Sequence, residues 1–380
     1  METPNLTGPT SLTLDKIPVR NVWLLFLYAS NLAQFRDRFD AEVEQSPDLK
    51  TLVARLLCYA VEKRLRRNLS FGYRRRNDVM HRVRGRIDIL KSVSGDLFRK
   101  GEVACCFEEL TVNTPRNRLV RAALNKAAGS ENDVDLSHRC RSLADALYRF
   151  GVTGTSPSRP EIASDQIARH EAQDRLIVSL SRAVFELVLP TEDAGSRPLL
   201  NAQREEKVFR KLFEKAIGNF YAAELSRGDG WRVLPGKKLT WQITRSTAGI
   251  NVYLPIMITD IVLENIQSHR RIIVDTKFTA VLTKSRYYNL RFKTNHLYQI
   301  YSYLRSQEKP NDPMSLNAGG ILLYPSTGTD IDETMLIQGH PIRFVTVDLA
   351  RSSAEVIQCL RMIPETCEQL RVRETGVEDL

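Results

Sequence analysis

The sequence predicts an α/β protein, α+β overall, in which a mixed, mainly helical N-terminal half precedes a C-terminal half of helices around a small mixed sheet. Three observations carry this reading. Before residue 190, apolar residues recur at helical spacing in several stretches. Between 231 and 278 they come instead in short runs of strand length. Beyond 290 a helical run is followed by two more apolar strands, so that helices and sheet interleave as in a layered core.

Residues 1–16 are polar with Pro and Gly and read as a loose tail. Val22-Trp-Leu-Leu-Phe-Leu-Tyr-Ala29 follows Lys16 and Arg20 and has the look of a signal-peptide core. It is far shorter than the roughly 20 residues that a bilayer span needs, and it reads as a buried first helix. A helix is expected from Ser46-Pro47, with Ser as its cap and Leu49, Leu52, Val53, Leu56, Leu57, Ala60 and Val61 on its apolar face. Arg82, Arg84 and Arg86 alternate with Val83, Gly85 and Ile87, a strand pattern with one charged face, so a basic β segment is placed at about 70–91. Helices follow near 116–128, capped by Thr114-Pro115, near 136–150 and near 171–189.

Thr191 to Ala202, with Pro, Gly, Ser and acidic residues, reads as a linker and divides the chain into 1–195 and 196–380. A long amphipathic helix then runs to about Leu225. Strands are expected at Trp231–Leu234, Leu239–Ile243, Val252–Leu263 and Arg271–Phe278, a helix at about 295–306, and strands at Gly320–Tyr324 and Arg343–Val347.

Composition narrows the functional classes. With 380 residues, 42% of them hydrophobic, the chain can bury a real core. Lys and Arg number 55 against 45 Asp and Glu, a net charge of +10 that favours polyanionic partners, nucleic acid first. Six cysteines include no Cys-x-x-Cys pair, and no histidine sits at zinc-ligand spacing from any of them, which fits reduced thiols in a cytoplasmic protein. No membrane association is expected. Gly230 and Gly236-Lys237 superficially resemble a phosphate loop, but the glycines are spaced wrongly and Lys238 replaces Ser or Thr. Any NTPase must therefore be another chain.

The chemistry concentrates at Arg270-Arg-Ile-Ile-Val-Asp-Thr-Lys-Phe278. Residues two apart on a strand share a face, so Asp275 and Lys277 point the same way. Charges on a mostly covered strand are costly unless paired or bound to a metal. With the preceding turn at Glu264 to His269, a hairpin centred between Gln267 and Ser268 puts Asp260 directly across from Asp275. Like charges so opposed repel, and a divalent cation between them would resolve the repulsion. Two hard carboxylates for Mg²⁺ (or Mn²⁺) and a lysine acting on the attacking water or the transition state are what phosphodiester hydrolysis needs. An ordinary Asp–Lys ion pair on a surface hairpin is the competing reading.

These residues resemble the PD-(D/E)xK nuclease superfamily and, more narrowly, the chain resembles the McrC-like nuclease subunit of McrBC-type modification-dependent restriction systems. Ile17-Pro-Val-Arg-Asn-Val-Trp-Leu-Leu-Phe-Leu-Tyr-Ala29 looks like that family's opening motif. Arg84-Gly-Arg-Ile-Asp88 and Asn113-Thr-Pro-Arg-Asn-Arg118 look like its next signatures. Leu212-Phe-Glu-Lys215, Thr259-Asp-Ile-Val-Leu263, Ile273-Val-Asp-Thr-Lys-Phe278 and Tyr298-Gln-Ile-Tyr-Ser-Tyr303 are similar to the nuclease core. Thr259 stands where the superfamily's name has Pro.

The resemblance implies a restriction-endonuclease-like core in 196–380. It implies that Asp260 and Asp275 bind metal, that Lys277 is catalytic, and that Glu214 and Gln299 are accessory. It also implies that 1–195 docks on an McrB-like AAA+ GTPase, and that the substrate is DNA carrying a modified base of the 5-methylcytosine type.

Weaker signals stay open. Glu214 and Gln299 could be solvated helix residues. The eleven Lys and Arg from Lys63 to Lys91 could meet DNA, a partner or only water. Lys284, Arg286, Arg291 and Lys293, nearer the catalytic residues, are better candidates for phosphate contacts. Two alternatives to the endonuclease remain: a bridging subunit that stimulates the GTPase over an inactive core, and a nuclease of the same fold acting alone.

Overall fold

The computed structural model describes residues 16–36, 38–44, 46–165, 172–187, 198–225, 230–284 and 290–365. The expected tail, most of the linker at Thr191–Ala202, and Arg286 lie outside them. The chain divides into two compact units, one of Met1–Glu44 with Gly195–Leu380 and one of Gln45–Ala194. The expected single domain of 1–195 is therefore divided, its first 44 residues grouping with the C-terminal half. The cause is helix α1 (Val19–Ala29), every residue of which from Asn21 onward is buried. A helix apolar on all sides must be covered all round. Asn21 fixes its place by donating to the carbonyls of Leu349 (2.8 Å) and Arg351 (2.6 Å) and accepting from the Ser353 hydroxyl (2.7 Å). A short helix, α2 (Asp40–Glu44), ends this N-terminal piece.

In the Gln45–Ala194 unit, α3 (Leu49–Leu65) starts two residues later than the Ser46-Pro47 cap implies. Asp48 is its cap, accepting from the Thr51 amide at 2.7 Å. A carboxylate on the positive end of a helix outdoes the Ser hydroxyl upstream. Next come β1 (Gly72–Met80), β2 (Arg86–Ile87), α4 (Ile89–Ser94) and β3 (Val103–Thr111), a three-stranded sheet of order β1-β3-β2. The basic strand thus lies mainly at 72–80, and the alternating Arg82–Ile87 run contributes two strand residues only. Gly85 breaks it with φ +70°, where a Cβ would come within 2.5 Å of the Cys106 carbonyl. Part of the basic run is paired locally: Arg76 meets Asp78 (2.9 Å) and Glu109 (3.3 Å), and Arg64 meets Asp174 (3.1 Å).

Helices α5 (Pro115–Ser130), α6 (Val134–Arg149), α7 (Arg159–Ser164) and α8 (Ala172–Leu187) complete the unit. The Asn113–Arg118 signature is structural here. Thr114 caps α5, buried Arg116 pairs with Asp165 at 2.6 Å, and Asn117 donates to the carbonyls of Ser70 and Val112.

The remaining unit begins with α9 (Pro198–Glu224), the expected long helix, which bears the fully buried Phe213, Ile217, Phe220 and Tyr221. Each such side chain contributes roughly 1.5–3 kcal/mol on leaving water. Then follow β4 (Trp231–Pro235), β5 (Lys238–Leu239), α10 (Ile250–Tyr253), β6 (Met257–Ile258), β7 (Ile261–Asn265), β8 (Arg270–Thr276), β9 (Leu282–Lys284) and β10 (Leu290–Phe292). After them come α11 (Thr294–Ser306), α12 (Pro313–Leu316), β11 (Gly319–Ser326), β12 (Asp332–Ile337), β13 (His340–Asp348) and α13 (Ser353–Met362). The strands expected at Leu239–Ile243 and Val252–Leu263 are shorter than their apolar runs. Pro255 cannot supply a ladder N–H, and the second run is split into α10, β6 and β7.

Six strands form a mixed sheet of order β12-β13-β11-β8-β7-β4, with β8, β11 and β13 parallel. α11 lies close against β11, where a Cβ on Gly320 would meet Ile300 at 2.7 Å. The β7–β8 pairing runs from Ile261↔Val274 to Asn265↔Arg270, the register expected for the hairpin. Among the described residues no helix is long and apolar enough to cross a membrane.

Candidate active site

The register fixes the site. Asp260 stands one residue before β7, and continuing the ladder sets it opposite Asp275 near the end of β8. Lys237 and Thr259 hold the approach: the Thr259 amide and hydroxyl both donate to the Lys237 carbonyl (3.1 and 3.2 Å), and the Gly236 amide donates to that of Asp260 (2.8 Å). Thr thus does locally, by hydrogen bonds, what Pro at this position would do by restricting the backbone. Asp260 Oδ2 accepts from the amide and the hydroxyl of Thr276, both at 2.7 Å.

Asp275 is 1% exposed. Its Oδ2 lies 2.6 Å from Lys277 Nζ, an ion pair without a well-directed hydrogen bond. Lys277 Nζ also donates to Gln299 Oε1 (2.9 Å), Gln299 Nε2 to the Tyr303 hydroxyl (2.8 Å), and that hydroxyl to the Ile258 carbonyl (2.9 Å). The i, i+4 pair on α11 therefore ties the lysine to the backbone two residues before Asp260.

The electrostatics are those of crowded carboxylates. Burial pushes the Asp275 carboxyl up to about 6; Lys277 pulls it back in part, while Asp260 and Glu214 push it further up. Glu214, on α9, is likewise raised by burial and by Asp260, with Lys277 and Lys211 opposing. So Asp260, Asp275, Lys277, Gln299 and Glu214 all belong to one electrostatic neighbourhood.

The phosphate-contact candidates are less closely gathered. Lys293 Nζ donates to the Thr279 hydroxyl at 2.6 Å, and its charge acts on His296. Arg291 is exposed on β10. Arg286 and the Lys284 side chain lie outside the described residues.

Two residues had no signal in the sequence. His296, on α11, is 8% exposed, and its Nδ1 lies 2.9 Å from the hydroxyl of fully buried Tyr324 on β11. Burial, then Lys277 and Lys293, push its imidazole down to about 4, so it is neutral at physiological pH. Burial and the Asp275 charge push the Tyr324 hydroxyl up. Only the packing of α11 on β11 reveals this pair.

Two opposed carboxylates, one buried with an ill-directed oxygen, form a hard-oxygen donor set that suits a divalent cation such as Mg²⁺. That ion commonly takes only one or two protein carboxylates and keeps water and substrate oxygens as its other ligands.

Residues 9–196 match the family described as McrBC 5-methylcytosine restriction system component. Over 338 residues the chain is 25% identical to the type IV methyl-directed restriction enzyme EcoKMcrBC of Escherichia coli K12, spanning 88% of this chain and 93% of that protein. A chain of the refined half-complex from the tetradecameric assembly of Thermococcus gammatolerans McrB AAA+ hexamers with bound McrC superposes with a TM-score of 0.50 at 14% identity. That superposition covers 91% of this chain and 75% of the other, a likeness of fold. By these matches the chain is similar to components of McrBC restriction systems, and among them to an McrC-like subunit.

Proposed function

We propose that this chain is the Mg²⁺-dependent endonuclease subunit of a modification-dependent restriction system of the 5-methylcytosine type, with a PD-(D/E)xK core that hydrolyses DNA phosphodiester bonds. The observation that carries this is the convergence of Asp260, Asp275 and Lys277, with Lys277 held by the Gln299–Tyr303 pair. Asp260 and Asp275 would hold the metal. A bound Mg²⁺ (or Mn²⁺) supplies Lewis acidity at the phosphate and a water of lowered pKa. Lys277, pinned between Asp275 and Gln299, presents a fixed positive charge to the attacking water or to the charge that builds on phosphate oxygens. Neutral His296 and Tyr324, the latter within the field of Asp275, add no charge that would compete with it.

The partner is proposed to be an McrB-like AAA+ GTPase, because a structure sharing this fold contains McrB AAA+ hexamers with bound McrC. Docking is assigned to the Gln45–Ala194 unit, since α1 and α2 belong with the catalytic unit.

Cleavage of 5-methylcytosine-containing duplex DNA by the purified chain, with and without the partner, GTP and Mg²⁺, tests this. The expected result is cleavage only with all components present. Strong partner-free cleavage of unmodified DNA would favour a stand-alone nuclease, and GTPase stimulation without any cleavage would favour a bridging subunit.

A further inference from the structure

The segment between β5 and β6, whose foot lies two residues from Asp260, carries apolar side chains in the open. Val252 is 80% exposed, Tyr253 82% and Ile256 69%, with Ile243 also exposed. Exposed apolar groups gathered on one segment mark an interaction surface.

The base of this segment is rigidly built. Trp241 Nε1 donates to the Pro255 carbonyl (2.7 Å) and closes the loop on itself. Gln242 donates to the carbonyls of Ser306 and Glu308, and Gln307 to that of Thr240, which fasten the loop to the end of α11. β5 and β6 pair at its foot. From that foot the chain reaches Asp260 in two residues, and the Ile258 carbonyl is the one bonded to Tyr303 in the Lys277–Gln299–Tyr303 series. The tip is thus carried on the same framework that positions the catalytic lysine.

Charge identifies the occupant. From Gly230 to Thr259 there is no Asp or Glu; of its four cations Lys237 is taken by Glu264 at 2.9 Å, while Arg232, Lys238 and Arg245 are exposed, Arg245 in the loop itself. Aromatic and aliphatic side chains at the tip of a cationic, carboxylate-free segment suit a nucleic acid: cations track phosphates, and apolar groups stack on bases or wedge between base steps.

We propose that the 240–258 loop is a DNA wedge, with Val252 and Tyr253 inserting at base steps beside the phosphate presented to Asp260, Asp275 and Lys277. This rests on reading the site as a DNA nuclease and adds how the duplex is gripped. Insertion would unstack one step and seat the adjoining backbone in the site.

The test uses the full-length chain, with and without its AAA+ partner, in Ca²⁺ to block cleavage, and a duplex carrying 2-aminopurine near the recognised base. The wild-type chain should raise 2-aminopurine fluorescence several-fold. The Val252→Ser/Tyr253→Ser double variant, altered only at exposed positions, should keep its melting temperature, lose the fluorescence rise and bind duplex about 10-fold or more weakly, in line with the loss of a stacked contact. Asp275→Ala should keep the fluorescence rise and lose cleavage in Mg²⁺. Cleavage by Asp275→Ala would sink the nuclease reading, whereas an unchanged fluorescence rise in the double variant would sink the wedge. Unchanged DNA binding with weakened binding to the partner or to a second copy would overturn the wedge in favour of a protein interface.

Discussion

The two ends of one hairpin, β7–β8, treat their carboxylates in opposite ways. Near the turn, Glu264 pairs directly with Arg271 across the ladder. Its Oε1 takes Lys237 at 2.9 Å and Arg271 at 3.0 Å, and Arg271 reaches on to Asp312 at 2.8 Å. Burial pushes the Glu264 carboxyl up, but Lys237 and Arg271 outweigh it and hold the group below its ordinary value. At the far end Asp260 faces Asp275, and a deeper carboxyl is left at about 6 with Lys277 as its one cation in contact among the described residues. The same strands thus carry a satisfied ion-pair cluster and an unsatisfied one. Frustration of this kind, kept beside a well-solved equivalent, is what supports the proposed catalytic role of this end.

The frustrated end should be the one whose loss stops cleavage. Asp275→Ala should lower single-turnover cleavage by at least about 1,000-fold while the protein stays folded by circular dichroism, because one of the two carboxylates proposed to hold the metal is gone. Retained cleavage would reduce the far end to an ordinary buried pair. Lys277→Ala should cost roughly 100-fold in the same assay. Mn²⁺ binding, followed by calorimetry, should change little, since the lysine is proposed to act on water or phosphate and not on the ion. Equal loss of binding and rate would make Lys277 structural.

The satisfied end should show the reverse behaviour. Glu264→Ala leaves Arg271 half-buried with fewer partners, and it should destabilise by about 1–3 kcal/mol. Cleavage per folded molecule should hold within about threefold. Asp275→Asn should instead raise the melting temperature in metal-free buffer at pH 7.5 by a few degrees. The sign follows from the raised carboxyl. Its folded value of about 6 lies above the ordinary 3.8, so ionisation costs stability above pH 6, in part between 4 and 6, and not below. The Asn variant's advantage should therefore fade as pH falls towards 4. An advantage unchanged at pH 4 would mean that it comes from packing and not from charge.

Much of this site was legible because it is local. A four-residue turn and a two-residue period are enough to set Asp260 against Asp275, and i, i+4 spacing is enough to align Gln299 with Tyr303. What could not be read depends on distant partners. Nothing near residues 19–29 says that they fold against 349–353, because the bonds from Asn21 span more than 300 residues. The His296–Tyr324 pair exists only where α11 meets β11. Val252–Leu263 read as one strand because its apolar residues outvoted Pro255, and the exposure of Val252 and Tyr253 shows that they were not core residues. β12, half-exposed and opening on Asp332-Glu333, offered only the short apolar run Met335–Ile337. α13 did offer a signal, the Ser352–Glu355 capping box.

The smallest expected effect falls on Glu214, and it decides how far the frustrated cluster extends. Glu214 reaches the site from α9 and not from the hairpin, and it is exposed where Asp275 is not. Its carboxyl is nonetheless raised by burial and by Asp260, and it in turn pushes Asp275 up. A third carboxylate at that remove would add through-space attraction for a cation, or bind through one of its waters, more than it would bind directly. Such charges are partly screened by solvent. Glu214→Gln should therefore weaken Mn²⁺ binding by only about 3- to 10-fold, slow single-turnover cleavage by a similar factor, and shift the ionisation of Asp275 slightly downward by removing a repelling neighbour. Calorimetry and cleavage across pH 5 to 8 would measure all three. A loss as large as that of Asp275→Ala would make Glu214 a direct ligand, and no change in any of the three would return it to the solvated face of α9.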